Sequence, residues 1–125
     1  RPLITPQVIE RSFEVAKKWG AAVAGMPVKD TIKLVDASGK VKDTPDRNYL
    51  WLVQTPQTFS YPLIMEAHDK ATRDNFLASD DSSLVERLGR DVYMIEGGYE
   101  NLKITTPEDI AIAEGILTAR ESNKL

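Results

Sequence analysis

The chain has 125 residues, with 16 Lys and Arg against 19 Asp and Glu, a formal charge of −3. That length fits one domain or part of one, and the near balance of charge excludes a nucleic-acid binder working through bulk positive charge. At 42% hydrophobic and 28% charged residues the chain is too apolar for disorder, no apolar run approaches the ~20 residues of a membrane-spanning helix, and the absence of cysteine excludes disulfides and thiolate metal sites.

The opening Arg1-Pro2 carries no methionine and no targeting character, and reads as a piece of a longer chain. Thr5-Pro6 predicts a helix start, Thr as N-cap and Pro at the first helical position. Ile9, Phe13 and Ala16 recur at helical spacing, widened by Val8 and Val15, and Gly20 after Lys17-Lys18-Trp19 is the expected stop. Ala21 to Met26 is a short apolar run, predicted as a buried strand. Residues 28–43 read as a two-stranded arm turning at Ala37 to Lys40. An arm with so few apolar residues buries little against its own domain. That leaves a surface hairpin or an arm that packs on a partner subunit.

Leu50 to Val53 is a second buried-strand candidate, and residues 55–59 are expected to be a rigid turn. Tyr61-Pro62 opens a helix with Ile64, Ala67 and Ala71 on one face; residues 75–79 form a loop. Asp80, Asp81 and Ser82 are N-cap material for a helix carrying Leu84, Val85 and Leu88 and ending at Gly89. Val92 to Ile95 is a third strand, broken by Gly97-Gly98, and residues 101–105 hold a short extended piece. Thr106-Pro107-Glu108-Asp109 caps a last helix over 107–119, expected to be well buried, and residues 121–125 are expected to fray. The alternation of helices with apolar strands argues α/β with a largely parallel sheet.

Three clusters could carry chemistry: Lys29-Asp30-Thr31 after a buried strand, Asp46-Arg47-Asn48 at the base of the arm, and Asn101 to Thr105 before a capped helix. Neither a G-x-x-x-x-G-K nor a G-x-G-x-x-G loop is present, nor a G-x-S-x-G elbow. His68, the single histidine, lies mid-helix and reads as a helix-surface residue.

Four strings, PVKDTIK (27–33), TPDRNYLWLVQTPQTF (44–59), SDDSSLVERLG (79–89) and EGGYENLKITTPEDIAIAE (96–114), occur in this order and cover much of the chain. Together they resemble the 2-C-methyl-D-erythritol 4-phosphate cytidylyltransferase family, bacterial and plastid enzymes of isoprenoid precursor synthesis by the non-mevalonate pathway. Arg1-Pro2 resembles the end of that family's H-D-A/G-A-R-P motif. The resemblance implies a Rossmann-like nucleotidyltransferase sheet in an α/β fold, with a protruding β-arm for dimerisation. On it, residues 1–125 are the C-terminal part of a single domain and the arm spans about 28–50. The glycine-rich basic loop for the CTP phosphates, and the Asp that helps place Mg²⁺, would lie in an N-terminal half.

The implied reaction moves CMP from CTP to 2-C-methyl-D-erythritol 4-phosphate and releases pyrophosphate, with Mg²⁺ as the divalent metal and no metal ligand in this chain. By motif, Arg1, Thr31, Arg47, Thr55 and Lys103 match substrate and phosphate contacts. Lys103 and Arg47 match the catalytic cations, Arg47 being presented by the arm to the neighbouring subunit's substrate. Asp80-Asp81 is explained by helix capping and stays outside the implied site. The implied partners are the two substrates and a second copy of the chain, in the bacterial cytoplasm, with no nucleic acid and no membrane. The related ribitol 5-phosphate cytidylyltransferases share the surroundings of VQTPQTF and KITTPED, while PVKDTIK and TPDRNYLW favour the methylerythritol family. A non-catalytic dimerisation fragment is the other alternative. The 125 residues alone are expected to be inactive, and to associate or be unstable through an uncovered sheet edge.

Overall fold

The structure, a computed structural model, describes residues 1–124. Helix α1 (Pro6–Trp19) leads into strand β1 (Ala21–Pro27). A hairpin of β2 (Leu34–Val35) and β3 (Val41–Asp43) follows, then a single 3₁₀ turn at Arg47–Tyr49 and strand β4 (Trp51–Phe59). Helices α2 (Tyr61–Arg73) and α3 (Asp81–Arg87), strand β5 (Tyr93–Glu96) and helix α4 (Pro107–Ser122) complete the order. The succession of helix, strand, arm, strand, two helices, strand and helix is the one read from the sequence. Among the described residues no helix is long and apolar enough to cross a membrane.

The main sheet has the order β4-β1-β5. It is mixed rather than largely parallel: β1 pairs antiparallel with β4 and parallel with β5. Ala21 to Met26 are buried, as predicted. The register explains why both faces of β1 are covered. Ser12 of α1 shares a 2.8 Å hydrogen bond with Thr58 of β4, which stands opposite Ala22. The neighbouring Ala21 therefore turns to the other face, where it packs with Leu63, Ala67, Ala71, Leu84 and Val85 of α2 and α3. Each large side chain buried there contributes roughly 1.5–3 kcal/mol.

Helix α1 begins and ends as predicted, with Gly20 left-handed at φ +96. Its buried stripe differs from the expected one. Val8, Ser12 and Ala16 face the sheet, and Phe13 is exposed. Ser12 can lie inside because its hydroxyl also donates to the Ile9 carbonyl at 2.7 Å. On α2 the buried face is Leu63, Ala67 and Ala71, so Leu63 takes the place expected for Ile64.

Other expectations fail. Residues 55–59 are not a turn: β4 continues through them to Phe59, and because it is an edge strand Leu52 and Val53 are about half exposed rather than buried as expected. Val23 stands opposite Gln57 and Gly25 opposite Val53, so Gln54, Thr55 and Pro56 face the single residue Ala24. This bulge absorbs Pro56, which has no N–H for a ladder. The segment 101–105 pairs into no strand, and α4 is not well buried, contrary to expectation. Of its side chains only Ala113 is buried, and Ile110, Ile112 and Leu117 are about half exposed. The helix extends past residue 119 to Ser122, which shortens the expected frayed tail; Leu125 lies outside the described residues. Its start carries the expected capping box between Thr106 and Asp109. Arg120 fastens its far end, donating to the Leu3 carbonyl at 3.0 Å and pairing with Glu100 at 3.1 Å.

Candidate phosphate-binding cleft

The β4 bulge and the loop after β5 meet at the edge of the sheet. Asn101, buried in that loop, donates to the Gln54 side-chain oxygen at 2.9 Å and to the Thr55 carbonyl at 2.8 Å. Gln54, also buried, donates to the Gly98 carbonyl at 2.9 Å. Gly97 allows this approach, since a Cβ there would sit 2.3 Å from the Gln54 side-chain oxygen. Arg1 closes the corner, donating to the Asn101 carbonyl at 2.5 Å and the Val53 carbonyl at 3.4 Å.

The result is a cleft of about 550 Å³ lined by Arg1, Val53, Gln54, Thr55, Gln57, Ser79, Asp80 and Lys103. Three residues predicted for the site, Arg1, Thr55 and Lys103, are thereby brought together from widely separated parts of the chain. Lys103 is exposed, and among the described residues it pairs with no carboxylate. Partial burial of Arg1 draws its pKa down from the ordinary value, though a guanidinium remains charged at neutral pH. Two cations and the exposed Thr55 thus face one opening, an arrangement suited to a phosphate oxyanion.

Asp80 lies in the same cleft, although helix capping alone was expected of it. Capping accounts for most of its contacts: it accepts the Ser83 N–H at 2.9 Å and also the Ser82 and Ser83 hydroxyls and the Gln57 amide. Burial pushes this carboxyl up, but those hydrogen bonds, led by the Ser83 hydroxyl and N–H, outweigh it and hold the pKa below its ordinary 3.8. Gln57 links the cap to the sheet, accepting the Ser82 N–H at 3.1 Å. Sequence reasoning missed Gln54 and Gln57; the signal was a pair of amides inside a strand-forming run.

Arg47 and Thr31 are not in this cleft. Both belong to the exposed arm between β1 and β4. Arg47 follows the helical cap Asp46 and donates one guanidinium N–H to the Lys29 carbonyl at 2.6 Å. Among the described residues it pairs with no carboxylate. The arm's tip is closed by Asp36, which accepts from the Ser38 hydroxyl, the Ser38 N–H and the Lys40 N–H. Gly39 takes the left-handed turn position at φ +87. His68 sits on the surface of α2, 3.0 Å from Asp81, and does not line the cleft.

The described residues do not form a Mg²⁺ centre. No three His, Asp or Glu side chains converge, and both Asp80 oxygens already accept hydrogen bonds. The buried Asn101 Oδ1 has no partner among the described residues, but one neutral oxygen falls far short of the octahedral, carboxylate-containing set Mg²⁺ demands.

The family model described as 2-C-methyl-D-erythritol 4-phosphate cytidylyltransferase matches residues 1–119. A curated enzyme of that name from Caldanaerobacter subterraneus subsp. tengcongensis is 53% identical over 114 residues, 91% of this chain and 50% of the relative. One from Clostridioides difficile is 50% identical over all 125 residues, 52% of its own length. The crystal structure of the Thermus thermophilus enzyme of that name superposes with a TM-score of 0.83 at 39% identity, covering 93% of this chain and 57% of that one. A 4-diphosphocytidyl-2C-methyl-D-erythritol synthase from Anaerococcus prevotii gives 0.85 at 36% identity, covering 94% and 55%. The chain thus spans about half the length of the curated relatives it matches.

Proposed function

This chain belongs to the 2-C-methyl-D-erythritol 4-phosphate cytidylyltransferase family, and we propose that it supplies the acceptor-phosphate side of a cytidylyl-transfer site. One observation carries the reading: Arg1, Thr55 and Lys103 converge on a single cleft. In the proposed reaction a phosphate oxygen of 2-C-methyl-D-erythritol 4-phosphate attacks the α-phosphorus of CTP. The bond from that phosphorus to the bridging oxygen breaks, and pyrophosphate leaves with the electron pair. The product enters isoprenoid precursor synthesis.

Such a transfer needs no covalent enzyme intermediate. It needs the two phosphates held in line and their charge neutralised. Lys103 and Arg1 supply positive charge at the cleft, and the Thr55 hydroxyl is a donor at its wall. Arg47 and Thr31, out on the arm, serve the site of a second copy, so that the catalytic unit is a homodimer with composite sites. The planar guanidinium of Arg47 keeps further N–H donors for a phosphate while one holds the Lys29 carbonyl. The relatives' implied Mg²⁺ would neutralise phosphate charge; its ligands and the CTP phosphate loop are assigned outside these residues. The domain comprises residues 1–125 together with those parts, and its setting is the bacterial cytoplasm.

Pyrophosphate release from CTP tests the reading, with methylerythritol phosphate set against ribitol phosphate. In the active enzyme of family length bearing this chain, release is expected with the first acceptor. Preference for ribitol phosphate overturns the substrate assignment. Lys103→Met lowers kcat about 10²–10³-fold, with the melting temperature held. For the composite site, Lys103→Met and Arg47→Gln proteins are mixed and allowed to exchange subunits. A mixed dimer keeps one site with both cations, so about a quarter of the parent activity returns; no recovery rejects the shared site. The 125 residues alone are expected to show no turnover.

A further inference from the structure

We propose that Tyr99 is a positioning residue that locks the arm carrying Arg47 to the loop carrying Lys103, an inference that rests on the reading of those two cations given above. The arm leaves the sheet at Pro27 and returns at Trp51, which stand opposite each other in the β1–β4 ladder. At that joint the Tyr99 hydroxyl donates to the Pro27 carbonyl at 2.9 Å. The Lys29 ammonium lies over the Tyr99 ring, 3.7 Å from its centroid. The Lys29 carbonyl in turn accepts from Arg47 at 2.6 Å. Lys29 is therefore held at both ends, its side chain by the loop after β5 and its backbone by the arm's arginine.

The loop is a firm anchor. Two residues before Tyr99, the Gly97 N–H bonds to the Gly25 carbonyl at 2.9 Å. Two residues after it, Asn101 is buried and fixed to Gln54 and Thr55. Lys103 follows two residues later in the same loop. A rigid ring placed between these anchors attracts the ammonium through its quadrupole and fixes the carbonyl through its hydroxyl. Remove the ring and the joint loses both contacts, while Tyr99, about half exposed, is outside the buried core cluster. Lys29 is thereby assigned to the joint and not to a phosphate, although it neighbours Asp30 and Thr31 in a string that reads as a substrate segment.

The chain has no cysteine, so paired spin labels at Ala37→Cys on the arm and Asp69→Cys on α2 report the arm's orientation without competing thiols. In the family-length enzyme, with any cysteine outside these residues replaced and labelled subunits diluted into unlabelled ones, the parent is expected to give one narrow distance distribution. Tyr99→Phe, which keeps the ring and loses the hydroxyl, broadens it, and Tyr99→Ala broadens it further. An unchanged distribution in Tyr99→Ala overturns the proposal. If Tyr99→Ala does not fold, Lys29→Met removes the ammonium alone and carries the same test with the same two outcomes. In the active family-length enzyme, Tyr99→Phe raises KM for the acceptor phosphate about threefold to tenfold, the worth of one hydrogen bond, and leaves kcat and the KM for CTP within about twofold. Equal changes for both substrates overturn the positioning role. An enzyme that transfers no cytidylyl group rejects the functional reading instead, while the distance measurement still decides whether the joint exists.

Discussion

β1 and β4 are hydrogen-bonded neighbours in one sheet, yet Ala21 to Met26 of β1 are buried while Leu52 and Val53 of β4 are about half exposed. β1 has a strand on each edge and helices on each face. β4 has β1 on one edge only, and its ladder is broken by Gln54, Thr55 and Pro56. The break in pairing and the site coincide: the bulged residues hold Asn101 and line the cleft. The regular strand supports the fold, and the irregular one lines the cleft to which the chemistry is assigned by proposal.

That division can be broken on the β1 side first. A Cβ at Gly25 would fall 2.4 Å from the Leu52 carbonyl oxygen and 2.6 Å from the Met94 side chain. Gly25→Val is expected to cost about 3 kcal/mol or more, because backbone cannot yield as a side chain does. Leu63→Ala, beneath the same strand, should cost about 2–5 kcal/mol. Both are read from urea midpoints at unchanged slope, and a cost below about 1 kcal/mol for either contradicts the account of β1 as the structural strand.

The β4 side should respond more weakly in stability and more strongly in activity. Asn101→Ala leaves the buried Gln54 oxygen without its donor and should cost about 1–3 kcal/mol. In an active enzyme it should also lower kcat, because the bulge and the Lys103 loop lose their tie. Preserved kcat would separate the bulge from the site.

Asp80→Asn sharpens the comparison at lower energy, costing about 1 kcal/mol, because an amide NH2 in place of one carboxylate oxygen cannot accept from the Ser82 hydroxyl and the Gln57 amide. Its folded pKa lies below the ordinary 3.8, so the stabilisation is present above the unfolded value and is lost as pH falls through the folded one. The difference between parent and variant, measured between about pH 6 and about pH 2.5, should shrink toward the acid end; a constant gap would detach the effect from ionisation. Smallest of all, Val41→Thr on the exposed arm should move stability by less than about 0.5 kcal/mol. A larger loss in dilute solution would show the arm packed on something.

The elements of this fold were largely legible because their ends are marked chemically. Thr5-Pro6 and Gly20 bracket α1, Asp80 starts α3, and Thr106 to Asp109 starts α4. Pairing was less legible. Pro56 reads as a turn from its own chemistry, and only the partner strand shows that a bulge accommodates it. Phe13 and the isoleucines of α4 read as buried because apolarity is local, whereas coverage depends on what the rest of the chain brings against them. The cleft cations were found through motif resemblance, and the charges alone gave no reason to group residues 1, 55 and 103. Asn101, Gln54 and Tyr99 act by holding other residues, and a holding role leaves its mark in contacts more than in composition.

The pairing of Pro27 with Trp51 has a further consequence, one of chain entropy. The 23 residues between them form a closed excursion whose two feet are fixed by the sheet itself. Closing a loop costs an entropy that grows only with the logarithm of its length, about 0.6 kcal/mol for each doubling. The tip hairpin, held by Asp36 and Gly39, already closes part of that excursion locally. Insertions or deletions beyond the joint therefore change the reach of the arm at little thermodynamic cost, and the register of the body stays where Pro27 and Trp51 set it.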